Sequence, residues 1–194
     1  MIEGLSGFTA ETPKNILFGA CTVHKGLKYD TSKKTWNTKE TLIGATNGGS
    51  KLNITPEINQ IEVDGVYVPI VGMDVKTGET ATLEINFAEL SKDIIKASAL
   101  ATDGTGNDAF DVLVSKADIV SGDYWDNIAL FGKTATGRPI IAILENALCT
   151  SGLEVEGKNK TGGTHKVTFR CTQKADGDTR VLPWKIYYPK ADAT

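Results

Sequence analysis

Residues 44–90 read GATNGGSKLNITPEINQIEVDGVYVPIVGMDVKTGETATLEINFAEL, and the fold class follows from how this stretch alternates. Residues 80–87 put Ala81, Leu83, Ile85 and Phe87 on one face and polar side chains on the other. That period of two marks a half-buried β-strand. Residues 58–63 alternate up to Asp64-Gly65, a dipeptide that accepts the positive φ of a tight hairpin turn. A short run at residues 52–54 is expected to stop at Thr55-Pro56, and one at residues 71–75 is expected to end at Thr77-Gly78. The period then changes. In residues 89–100 (ELSKDIIKASAL) the positions Leu90, Ile94, Ile95, Ala97 and Leu100 fall near helical spacing, and the run from Asp103 to Gly106 stops them.

The flanks extend the same pattern. Residues 15–24 (NILFGACTVH) are β-prone, and residues 26–42 form a polar stretch long enough to be functional or ordered by a partner. In the second half, residues 110–114, 127–133 (NIALFGK), 138–148 (RPIIAILENAL) and 166–172 (KVTFRCT) read as strands. In the last of these Val167, Phe169 and Cys171 point inward. Residues 181–188 form a further strand, which Pro183 confines to a sheet edge. The expectation is a mainly β domain, a β-sandwich or flattened barrel of two antiparallel sheets with one flanking α-helix. It spans residues 1–194 as a single domain, with an N-terminal arm at 1–14, an extended loop at 26–42 and a C-terminal tail at 189–194.

Composition narrows the function classes. The chain has 194 residues, 40% hydrophobic and 23% charged, enough to bury a core and unlike a disordered chain. A net charge of −3 argues against a surface that grips nucleic acid. Residues 44–90 carry seven acids against two lysines, while the remainder is close to neutral. Cys21, Cys149 and Cys171 are widely spaced within apolar runs and read as buried free thiols. No apolar run approaches the ~20 residues of a membrane span, and the N-terminus lacks the pattern of a secretory signal.

Catalytic motifs are missing. In GATNGGSK the Ser precedes the Lys, the reverse of a phosphate-binding loop. The run beginning at Asp103 has Asp108 where a calcium loop needs glycine and Val114 where it needs glutamate. There is no G-x-S-x-G elbow. His24 and His165 are read as surface residues. The chain is therefore expected to have no catalytic residues, no metal site and no cofactor.

The succession IEVDG, RPI followed by ENAL, and a late PWKIYYP, in that order across residues 15–189, resembles the major tail (tail tube) proteins of long-tailed, non-contractile bacteriophages. The resemblance implies a homo-oligomer of hexameric rings stacked into a hollow tube in the virion tail. Double-stranded DNA passes through such a tube without specific binding. It also implies partnership with a tape measure protein, a tail terminator and a distal tail protein, with no membrane contact. Inner tubes of contractile tails, tail-like bacteriocins and secretion particles share the fold; a carbohydrate-binding β-sandwich is the alternative from another class. A duct wall that repels phosphate eases transit, so Glu62, Asp64, Glu79 and Glu84 are expected to face the lumen. Tyr29, Lys33, Lys34 and Trp36 in the 26–42 loop are expected to contact the next ring, and deleting that loop is expected to leave a folded monomer.

Overall fold

The computed structural model describes residues 7–17, 19–156, 159 and 162–190. Residues 1–6 of the expected N-terminal arm, Phe18, and residues 191–194 of the expected tail lie outside them. The alternation in residues 80–87 becomes the inner half of strand β5 (Asp74–Phe87), in which Ala81, Leu83, Ile85 and Phe87 are all fully buried. It pairs antiparallel with β4 (Thr46–Gln60) in a long hairpin. Two expected breaks inside this hairpin are absorbed by it, and the third is a real turn. Pro56 lies within β4 because β4 pairs only with β5, so its missing N–H removes no ladder bond on the open side. Thr77 is a bulge residue, skipped between the pairs Glu57–Gly78 and Ile58–Lys76. Asp64-Gly65 does turn, with Gly65 at φ 84° and Val66 N–H on Val63 O at 3.1 Å. The ladder nevertheless closes earlier, at Ile61 N–H to Met73 O, 2.8 Å.

The remaining strands are β1 (Thr22–Lys25), β2 (Tyr29–Asp30), β3 (Thr35–Trp36), β6 (Ala101–Asp103), β7 (Leu113–Ser115), β8 (Trp125–Lys133), β9 (Pro139–Cys149), β10 (His165–Arg170) and β11 (Trp184–Tyr187). Five of them join β4 and β5 in one seven-stranded antiparallel sheet in the order β1-β8-β9-β10-β5-β4, with β11 on β9. The two sheets expected from the sequence are thus continuous through β9. Its first half pairs with β8 and β11, and only Leu148 and Cys149 reach β10. Between these halves Asn146 takes a left-handed φ of 48°, a bend that lets one strand serve two faces of a folded-over sheet. Phe87, Leu83, Ile85, Val167 and Phe169 from one half meet Val23, Ile128, Leu144 and Trp125 from the other in the main core.

The expected helix is present but shorter. Helix α3 (Lys92–Ser98) starts where Ser91 caps it by accepting from Ile94 N–H, and it cannot run on because Leu100 has φ 48°. It buries Ile94 against the core and ties its exposed side through Lys25–Asp93 and Lys96–Asp103 ion pairs. The N-terminal strand is cut down: α1 (Thr12–Asn15) precedes it, Leu17 makes a lone bridge to Thr134, and pairing begins only at Thr22.

Residues 26–42 differ most from expectation. They form the small β2–β3 hairpin and the single turn α2 (Thr38–Thr41), lying on the outer face of the β8–β9 half. Leu27 is 2% exposed and joins Ala129, Ile141 and Ile143 in a second core, with Trp36 packed on it. Asn127 fixes one end by exchanging hydrogen bonds with the Leu27 backbone at 2.9 and 3.2 Å. His24 fixes the other. This ring, 2% exposed rather than on the surface as expected, reaches Thr41 Oγ1 from Nδ1 at 3.1 Å and Thr22 Oγ1 from Nε2 at 2.8 Å. Because Thr41 Oγ1 donates to Asn37 O, it accepts from His24, which places the proton of the neutral ring on Nδ1.

Candidate interaction surfaces

Beyond the last core pair of the β4–β5 hairpin, Ile54 with Ala81, residues 76–79 still lie against residues 179–182, and the ribbon is free of the body only past the pair Ile58–Lys76. The ladder residues from Asn59 to Ile61 carry it about 10 Å further at ~3.3 Å per residue. The connecting segment 62–72 turns twice, at Asp64-Gly65 and Val71-Gly72. Along this arm Ile58, Ile61, Val63, Tyr67, Val68, Ile70, Val71 and Val75 are all exposed, Tyr67 at 95% and Val71 at 101%. A two-stranded ribbon with no third strand is marginal in water, and a monomer seldom presents so many apolar side chains together unless they are to be covered. The arm is also acidic. Glu57, Glu62, Asp64 and Asp74 are exposed on it, and none forms an ion pair among the described residues.

A second surface lies over the 26–42 segment. Tyr29 and Trp36 are opposite each other in the β2–β3 pairing, ring centroids 5.2 Å apart, and Trp36 meets Tyr187 of β11 edge-on at 4.9 Å. With Tyr188, Pro139 and the buried Ile141 they bound a slot of about 240 Å³. Its turn is built by Asp30, whose carboxylate accepts from Ser32 and from the backbone N–H groups of Ser32 and Lys33. The Ser32 hydroxyl is the leading reason that this carboxyl titrates below its ordinary range. Lys33 and Lys34 project from that turn, both exposed.

No known protein-family model matches this chain, and no curated protein is significantly similar to it.

The four acids expected to share a wall are not brought together. Glu62 and Asp64 are on the arm. Glu79 and Glu84 sit at odd and even positions of β5 and so point to opposite faces. Glu79 is turned in, its side chain 9% exposed, with Lys76 at 3.2 Å and the Leu182 N–H at 3.4 Å. Burial raises its pKa, but the hydrogen bonds from Lys76 and the Leu182 N–H outweigh that and leave it lowered. Glu84 accepts from Lys166 at 2.6 Å, which depresses its pKa, and Lys51 lies across the strand from it. Of the ring-contact residues, Tyr29 and Trp36 are in the aromatic slot and the two lysines are in the turn that joins their strands. Tyr187 and Tyr188 were missed because nothing local marks them: they are some 150 residues from Trp36 in sequence.

The other chemistry-bearing groups serve the fold. His165 is 8% exposed rather than a surface residue, its Nδ1 3.2 Å from Glu154 O. Cys149 and Cys171 are buried free thiols, as expected, and burial pushes Cys171 up to about 11, far from a reactive thiolate. Among the described residues no three His, Cys, Asp or Glu side chains are grouped to hold a metal. No helix among them is long and apolar enough to cross a membrane.

Proposed function

We propose that this chain is a structural subunit of a bacteriophage tail tube. It self-assembles into hexameric rings that stack into a hollow conduit through which DNA leaves the virion, and it is not an enzyme. The observation that carries the reading is the arm: a ribbon of Ile, Val and Tyr side chains left exposed by the described residues. The mainly β, antiparallel architecture and the order of sequence motifs over residues 15–189 support it. In this reading the tape measure, terminator and distal tail proteins are partners, and double-stranded DNA is transient cargo. Glu84, paired with Lys166 beside Lys51, adds no net negative charge to its face. The unpaired carboxylates of Glu62 and Asp64 are therefore what remains of the proposed acidic wall.

Negative-stain microscopy of the purified protein, concentrated stepwise, tests the reading. Hollow rods or six-fold rings are the expected result. A protein that stays monomeric throughout overturns it.

A further inference from the structure

We propose that the arm of one copy seats in the aromatic slot of a second copy, with residues 66–71 between Tyr29, Trp36 and Tyr187. The inference rests on the self-assembly reading and specifies its contact. The two surfaces match in chemistry. The arm offers a mostly apolar segment, VYVPIV, bent at Val68 and turning at Val71, whose Val68 and Val71 side chains are exposed. The slot offers rings tilted by 59° and 77° to one another over the buried Ile141. Rings so tilted make ridges around a hollow rather than a flat platform. The volume of about 240 Å³ is several times the ~30 Å³ share of one water molecule, so aliphatic side chains can enter it.

Charge sets the orientation. Four unpaired carboxylates, Glu57, Glu62, Asp64 and Asp74, flank the apolar residues of the arm. Lys28 directly precedes Tyr29 and Lys33 and Lys34 lie in the turn between Tyr29 and Trp36, all three exposed, with Lys33 3.8 Å from Asp30. Opposite rims steer the approach and fix register. The occupant is a second copy because one chain carries both halves of the contact at different places. A contact between unlike patches is heterologous, and it propagates into rings or open-ended stacks rather than closing as a dimer.

The test uses full-length protein in two populations, Val68→Cys and Lys28→Cys, mixed and oxidised. A disulfide-linked dimer formed by the mixture and by neither variant alone is expected. Separately, Lys33→Glu with Lys34→Glu is expected to raise the concentration needed for assembly by about tenfold or more, and Glu57→Lys with Glu62→Lys in the same chain to restore it. Tubes that form normally from the lysine variants, with no mixed disulfide, overturn the slot contact and leave the tail-tube reading standing. A wild-type chain that never associates overturns both.

Discussion

Thr172 Oγ1 donates to Asn146 O at 2.6 Å, and Asn146 Nδ2 returns a bond to Thr172 O at 3.3 Å. This exchange sits at the bend of β9, where Asn146 has φ 48°. It clamps the chain leaving β10 to the residue at which the sheet folds over. The main core is closed by that fold, so the exchange holds together the two halves that the core joins.

Asn146→Ala is expected to destabilise the protein by about 2–3 kcal/mol, from a left-handed backbone penalty of ~1–2 kcal/mol and a lost hydrogen bond of ~1 kcal/mol. Asn146→Gly removes the same bond without the backbone penalty and is expected to cost less. Chemical denaturation of the two variants checks this; equal losses would show that the backbone conformation is irrelevant.

Phe169 is 1% exposed and packs on Trp125 with centroids 4.6 Å apart, across the fold of the sheet. Phe169→Ala is expected to cost about 3–5 kcal/mol, the range for removing a buried aromatic ring. The transition midpoint in denaturant reads the loss directly. A change below 1 kcal/mol would mean that the two halves of the sheet do not share this core.

Burial lowers the pKa of His24, only partly offset by a hydrogen bond to the Thr38 backbone. Lys39 and Lys133 are the other titratable groups lining the same hollow. The unfolded chain takes up the proton first, so stability is full above ~6.5 and falls as pH drops through that value toward the lowered folded pKa. Unfolding free energies between pH 7.5 and 5 should show this decline, and His24→Gln should flatten part of it. An unchanged slope in the variant would assign the pH dependence to other groups.

Tyr67→Ser with Val71→Ser alters two fully solvated side chains, so folding stability should change by no more than about 0.5 kcal/mol. Self-association should be lost. Sedimentation velocity alongside thermal unfolding separates the two effects. Retained association with both substitutions present would remove the arm from the assembly contact.

Deletion of residues 26–42, expected from the sequence to leave a folded monomer, should instead destabilise the body. The segment supplies Leu27 and Trp36 to a buried cluster with Ala129, Ile141 and Ile143. Circular dichroism of the deletion should show lost or weakened β structure. A native-like spectrum with unchanged melting would show the segment to be dispensable.

Strand alternation determined much by itself. The inward positions Ala81, Leu83, Ile85, Phe87, Val167, Phe169 and Cys171, the core-forming runs in β8 and β9, and a helix within residues 89–100 were all legible, because periodicity is a local property. Tertiary structure decided what local pattern cannot carry. Pro56 and Thr77 are breakers by propensity, yet an open sheet edge and a bulge accommodate them. Residues 26–42 look polar and loose, but Asn127 and His24 pin them over an apolar sheet face that gives Leu27 and Trp36 a partner. Tyr187 reaches Trp36 only because β11 pairs with β9. Whether an apolar side chain is core or contact surface depends on what the rest of the chain brings to it, and among the described residues nothing covers the tip of the arm.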